Sequence, residues 1–294
     1  MNAPLPTSTN LFRLGKPRAP YLLVVNKGPE AVPLPREPAC CDVMEIYFAP
    51  SQIEQIKANP NLTDADHVVF ETDPLRRKFA IIKSVFEAND FWRSYDAVML
   101  ADDDVTPVGC SFQEIFDLFM KTGCRIGQPA LTQDSYFAWF LTLQNHNFVW
   151  RRTNHVDFMC LMMTRDAIAE YLGIMDVTVS GFGLDLYWGY KEWQRGTAHA
   201  VLDATPMRHS RPIGVGGAYK GIDPYKECEE FLSRYQVPRY TPLCLDGVFA
   251  REPTHEEIKM ALALSGYDTP IMQNQQFVPY AFQELAAFMK NNEK

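Results

Sequence analysis

The sequence predicts an α/β protein: a single domain with a mainly parallel, Rossmann-like central sheet flanked by helices. Three observations predict it. Short apolar runs alternate with helical patterns, which is how parallel strands joined by crossover helices read in sequence. The best of these runs, Ala97-Val98-Met99-Leu100-Ala101, ends in Asp102, Asp103 and Asp104, and sheets of this class carry their chemistry at strand carboxyl ends. The composition is globular, with 47% hydrophobic and 22% charged residues in 294. That is enough for a large core and excludes global disorder.

Residues 1–20 are rich in Pro, Ser, Thr and Asn and read as a flexible N-terminal arm. Tyr21-Leu22-Leu23-Val24-Val25 is short and apolar, as a buried strand requires. A proline-rich loop over 29–38 precedes a strand over 43–48 and a short helix over 51–58, with Ser51 as N-cap. Residues 67–70 make a third strand. Leu75, Phe79, Ile82 and Phe86 share one apolar face and predict a helix over 74–89, with Pro74 in its first turn. The strand over 95–100 then leads into the aspartates. A helix over 111–121 turns Phe112, Ile115, Phe116 and Phe119 inward.

Residues 128–152 are aromatic and polar without a period, and read as an elaborate loop region over a site. The apolar run 156–163 predicts a strand, followed by a helix through Tyr171. Ser180-Gly181-Phe182-Gly183 is a turn opening a helix over 184–193. A strand over 198–202 leads into Met207-Arg208-His209, and the pattern beyond Pro224 is helical. The expected domain therefore spans 21–240, with a C-terminal helical extension over 241–294 and no internal repeat.

The net charge of −8 argues against nucleic acid as a partner. The seven cysteines are odd in number and lack Cys-x-x-Cys spacing, so they read as thiols in a reducing compartment, not as zinc ligands. The first twenty residues lack the apolar core of a signal peptide, and no run approaches the ~18 apolar residues of a membrane span. The expectation is a cytoplasmic protein with no transmembrane segment, peripheral membrane contact being left open.

Three adjacent carboxylates at a buried strand end repel one another and are costly to desolvate unless a cation compensates them. Hard oxygen ligands suit Mn²⁺ or Mg²⁺. Such an ion bridges carboxylates to phosphate oxygens and stabilises a departing diphosphate. Along an extended chain Asp102 and Asp104 point one way and Asp103 the other. Asp104 is expected to touch the metal directly, and Asp102 to bind through water or hold a ribose. Asp103 is retained with Asp102 among the donor-binding candidates. The plain alternative is a solvated acidic turn.

The segments VMLADDDV, IGQPAL, RRTNHVDFM, SGFGLDLYW and AVLDATPMRHSRPIG, in that order and spacing, resemble an uncharacterised plant and bacterial family of glycosyltransferase-like proteins. The likeness covers residues 22–234. More generally it resembles glycosyltransferases of the GT-A fold, which are metal-dependent, use nucleotide sugars and carry an Asp-x-Asp motif.

The resemblance implies further roles. Inverting enzymes of this fold often place their base after a glycine-aromatic-glycine turn, which implies Asp185 as general base, although a helix-capping acid reads the same way. A late histidine often joins the metal, which implies His209. Asn26 and Lys27 end the first strand, where the nucleotide would bind. Lys78 can reach a phosphate, and Arg208 or Arg211 can clamp a diphosphate bidentately. Arg152 can read acceptor hydroxyls, and Trp188 can offer a sugar a flat aromatic face. Asp157 is an acid in an apolar run and is expected to pair with Arg152.

The implied reaction is transfer of a sugar from a nucleotide-diphosphate donor, a UDP-sugar foremost, to a glycan or lipid-linked acceptor in polysaccharide biosynthesis. Two alternatives stand beside it. Asp102-Asp103-Asp104-Val105-Thr106 also fits the Asp-x-Asp-x-Thr motif of haloacid-dehalogenase-type phosphohydrolases, with Asp102 as nucleophile. That motif usually lies on the first strand, whereas three strand candidates precede it here, and no Gly-Asp-x-x-x-Asp motif follows. The third reading is a non-catalytic protein that binds sugar nucleotides or glycans.

Overall fold

A computed structural model describes residues 5–212 and 221–251. In chain order the principal elements are β1 (Thr9–Leu14), β2 (Tyr21–Lys27), β3 (Cys41–Tyr47), α1 (Pro50–Ala58), β4 (His67–Glu71), α2 (Lys78–Ala88), β5 (Ala97–Ala101), β6 (Val105–Pro107), α3 (Phe112–Thr122), β7 (Ile126–Leu131), β8 (Phe148–Thr153), β9 (Cys160–Thr164), α4 (Arg165–Tyr171), α5 (Leu184–Gln194), β10 (His199–His209), α6 (Pro224–Arg234) and β11 (Cys244–Phe249). The described residues divide into two compact units. The first comprises the described residues within Met1–Val105, Phe158–Leu184 and Tyr219–Tyr235, the second those within Thr106–Asp157, Asp185–Ala218 and Gln236–Lys294.

In the first unit the strands run in the order β1-β4-β3-β2-β5-β9. β4, β3, β2 and β5 are mutually parallel, and β1 and β9 flank them antiparallel. Strands covered on both faces must be apolar throughout, and every residue of β5 and the first five of β2 are buried. Helix α2 contributes Phe79, Ile81, Ile82, Val85 and Phe86 to this core. The predicted α/β class, a parallel sheet flanked by helices, is the observed one.

Four local expectations differ. Residues 9–14, read as part of a loose arm, form β1 against β4. Thr9 Oγ1 donates to Glu71 Oε2 at 2.6 Å, and Arg13 Nη1 donates to the carbonyls of Thr63 and Ala65 at 3.1 and 2.9 Å. Helix α2 begins at Lys78, not Pro74. Asp73 takes the amides of Leu75 and Arg76 into a turn, so Leu75 is 65% exposed and lies off the apolar face. Helix α1 is capped by Ala49 with Pro50 following, and Ser51 lies inside it. Strand β9 starts at Cys160, later than the apolar run suggests.

In the second unit β7 pairs with β10 in parallel, while β8 pairs antiparallel with both β10 and β11. The short β6, most of which belongs to this unit, also pairs with β10. Helix α3 has a full capping box between Ser111 and Glu114 and ends on Gly123 at φ +68°, the left-handed conformation that glycine adopts without penalty. Residues 128–152, expected as loop, contain part of β7 and most of β8. The region expected as a helical extension begins with strand β11, and its residues 252–294 lie outside those described. No disulfide joins the seven cysteines, and no described helix is long and apolar enough to cross a membrane.

Candidate functional site

The acidic triplet belongs to the first unit. The β2–β5 register pairs Val25 with Ala101, so Asn26 and Asp102 both follow directly at the carboxyl edge of the parallel strands. The chain does not stay extended here, as the alternation argument assumes. The Val105 amide reaches the Asp102 carbonyl at 3.4 Å and closes a turn, which gives each aspartate its own surroundings.

Asp102 is compensated by a lysine. Lys78, the first residue of α2, donates from Nζ to Asp102 Oδ1 at 2.7 Å and to the Phe158 carbonyl at 2.8 Å. Its ammonium sits 5.4 Å from the Phe79 ring centroid and 5.7 Å from that of Phe158, a position favoured by the negative ring faces. The Lys78 side chain is 10% exposed and that of Asp102 is 34%. Asp102 is therefore the open member of this pair.

Asp103 turns back into the protein. Its Oδ2 accepts the Gly28 amide at 2.7 Å, and its carbonyl accepts the Val32 amide at 2.7 Å. A Cβ on Gly28 would lie 2.8 Å from Asp103 Oδ2, so a side chain there would make that carboxylate shift. One Asp103 carboxylate oxygen thus ties the loop after β2 to the turn after β5. Asp104 is buried.

Of the other first-unit candidates, Asn26 holds a buried Oδ1 with no hydrogen-bond partner among the described residues. Lys27 lies 3.6 Å from Glu45 Oε1 and is held by that carboxylate along the sheet. The glycine-aromatic-glycine turn lies in this unit as well. Gly181 and Gly183 have φ of +84° and +91°. A Cβ on Gly183 would lie 2.8 Å from the Phe231 ring of α6. Glu227, also on α6, accepts the amides of Val179 and Ser180 at 2.6 and 2.8 Å and the Ser180 hydroxyl. Sequence reasoning missed Glu227, because it grips a loop 47 residues away and no local pattern marks that contact.

The remaining candidates belong to the second unit. Asp185 stands in the first turn of α5, where the helix dipole favours a carboxylate. It is 7% exposed, its Oδ1 accepts the Leu186 amide at 2.9 Å, and its Oδ2 lies 3.7 Å from His155 Nε2. Burial, with a smaller contribution from His199, pushes the His155 imidazole down to about 3. The ring is therefore neutral at ordinary pH.

His209 ends β10. Its Nδ1 meets the Tyr136 carbonyl at 2.7 Å, and its amide donates to the Ser135 hydroxyl oxygen at 3.1 Å. A carbonyl only accepts, so Nδ1 carries a proton; in a neutral ring the lone pair is then on Nε2, as in histidines that ligate through that nitrogen.

Arg208 pairs with Asp134 at 3.0 Å, with both side chains more than half exposed, and Arg211 is half-buried. Arg152 is held by Asp246, at 2.6 Å through Nε, and so does not pair with Asp157. Trp188 corrects the sequence reading: it is 0% exposed, and a fully buried indole offers no face to an acceptor. The neighbouring Arg151 is an unexpected core ion, with two bonds to Asp203 at 2.8 and 2.9 Å and one to the Leu143 carbonyl at 2.7 Å. No three His, Cys, Asp or Glu side chains gather into a ready-made metal cage among the described residues.

No protein-family model matches the chain, and no curated protein does. Among solved structures, the chain is similar to GalNAc-T7, crystallised with UDP, GalNAc and Mn²⁺. The TM-score is 0.51 at 11% identity, over 74% of this chain and 48% of that one, so the chain spans about half the length of that structure. A structure of A197 from STIV aligns with a TM-score of 0.31 at 13% identity, over 64% of this chain and 84% of that one. At 11% identity the first likeness concerns the fold, which is glycosyltransferase-like and GT-A-like.

Proposed function

We propose that this protein transfers a sugar from a nucleotide-diphosphate donor to a hydroxyl acceptor, with Mn²⁺ or Mg²⁺ as cofactor. The observation that carries the reading is the acidic turn at the carboxyl end of a central parallel strand in a glycosyltransferase-like fold. That edge is where such sheets bind ligands.

The carboxylates of the acidic turn are hard oxygen donors, the chemistry that a divalent cation of this kind takes. Carboxylate oxygens of Asp104 and Asp102 would hold it. When bound, the cation neutralises charge on the leaving diphosphate. The chain's own residues do the rest. Lys78 holds Asp102 in place through its Nζ bond to Oδ1, and is the proposed first-unit contact to phosphate. Asn26, with its unsatisfied Oδ1, is the proposed contact to the nucleoside, and Arg208 and Arg211 are the proposed diphosphate clamps. Asp185 takes the proton of the acceptor hydroxyl as that oxygen attacks the anomeric carbon. The bond from that carbon to the diphosphate breaks, and the configuration inverts.

A UDP-sugar is the leading donor, because GalNAc-T7 was crystallised with UDP. A glycan or lipid-linked glycan in cytoplasmic polysaccharide synthesis is the proposed acceptor. Thermal shift with UDP-, GDP- and CMP-sugars, with and without Mn²⁺, tests the reading. We expect metal-dependent stabilisation by one donor class, abolished in Asp104→Asn. The same melting temperature in every combination rejects it.

A further inference from the structure

His155 is fully buried, and neither ring nitrogen has a hydrogen-bond partner among the described residues. Burial keeps the ring neutral, so one nitrogen carries a proton and the other a lone pair. A buried N–H left unpaired carries its whole desolvation penalty, and native structures rarely leave one so. The ring is not loosely placed: Trp139 packs against it with centroids 4.8 Å apart in a T-shaped contact. Asp185 Oδ2 lies 3.7 Å from Nε2. Charged and titratable groups around this pair include His199, whose charge would oppose a proton on His155, and Tyr240, which feels the Asp185 carboxylate. Tyr240 gives its hydroxyl to the carbonyls of Asn154 and Leu186 at 3.3 and 3.2 Å. It therefore does not compete as a donor to Asp185.

We propose that His155 is a positioning residue for Asp185: its Nε2–H donates to Oδ2 and fixes the orientation of that carboxylate. Catalytic hydrogen bonds are often long in the unliganded enzyme and tighten when substrate binds. Closing from 3.7 Å to an ordinary bond needs only a small shift of either side chain. The donated bond favours the ionised carboxylate, which a general base must be. The catalytic consequence rests on the reading of Asp185 as the base.

Side-chain ¹⁵N spectroscopy of the six histidines in the full-length protein tests the pair without substrate. The expected result is an Nε2–H tautomer for His155, with the downfield proton of an N–H bonded to carboxylate, and loss of that downfield position in Asp185→Ala. An Nδ1–H tautomer, or a signal unchanged in Asp185→Ala, overturns the proposal. The tautomer of the unmodified protein decides even if the variant does not fold.

Kinetics then test the consequence. His155→Leu lowers kcat about 10-fold or more, within the roughly 10²-fold that a ~1 Å misplacement costs. It leaves the donor KM unchanged and moves the acid limb of the pH–rate profile to higher pH. His155→Gln, which keeps an N–H, retains most of the rate. Equal losses in both variants with an unmoved acid limb refute the positioning role. An Nε2–H bond present in a protein that transfers no sugar from any donor supports the pair and rejects the proposed function, so the two failures are distinguishable.

Discussion

Replacing Asp103 separates the members of the acidic triplet. Its Oδ2 takes a buried Gly28 amide at 2.7 Å, a short bond to a charged acceptor. Such bonds contribute about 1.5–3 kcal/mol, and removing the acceptor leaves the amide to its desolvation cost. Asp103→Ala should therefore cost ~2 kcal/mol, which for a chain of this size lowers Tm by about 4–8 °C. Asp103→Asn keeps an acceptor and should lose less than half of that. Asp104→Asn, by contrast, should remove the metal-dependent shift with donor. Scanning calorimetry with and without Mn²⁺ and nucleotide measures all three. If Asp103→Ala melts with the parent protein, or if Asp103→Asn and Asp103→Ala fall together, the loop-tying role is wrong.

Three further outcomes are expected. Asp203→Ala strands the Arg151 guanidinium, whose side chain is only 5% exposed, and should cost about 3–5 kcal/mol in urea unfolding; a loss below ~1 kcal/mol contradicts a buried ion pair. Gly183→Ala forces a side chain into φ +91° against the Phe231 ring and should cost roughly 1–3 kcal/mol, whereas Gly196→Ala, with open space around its Cβ, should suffer from its positive φ alone. Burial lowers the His155 and His199 imidazoles from the ordinary 6.5 to about 3 and about 4. The unfolded chain thus binds protons first, so stability is full above pH 6.5 and falls as pH drops toward 4, by on the order of 3 kcal/mol for His199. Denaturant midpoints across that range check the slope, which should be shallower in His199→Phe.

Strands β2 and β5 were legible because each carries a contiguous apolar run, buried on both faces and readable without a partner. Helix α3 was legible because Phe112, Ile115, Phe116 and Phe119 repeat at helical spacing. Strand β8 was not, because Phe148-Val149-Trp150-Arg151-Arg152-Thr153 puts two arginines in succession and mimics a polar loop. One of them is buried only because Asp203 waits across the sheet. The edge strands β1 and β11 were missed for a related reason: their burial patterns are partial, and their pairing depends on strands far along the chain. Trp188 looked like a sugar platform because an aromatic residue reads the same on either face of a helix until packing assigns the face.

Composition and local order were enough for the α/β class, for three carboxylates at a strand end, and for two glycines before Asp185. Tertiary structure alone decided which partner answers each charge. Lys78 lies 24 residues from Asp102, Gly28 lies 75 from Asp103, Glu227 lies 47 from Ser180, and Arg151 lies 52 from Asp203. A carboxylate's role follows from the donors within about 3 Å of it, and separations of that kind leave no trace in the spacing of residues along a chain.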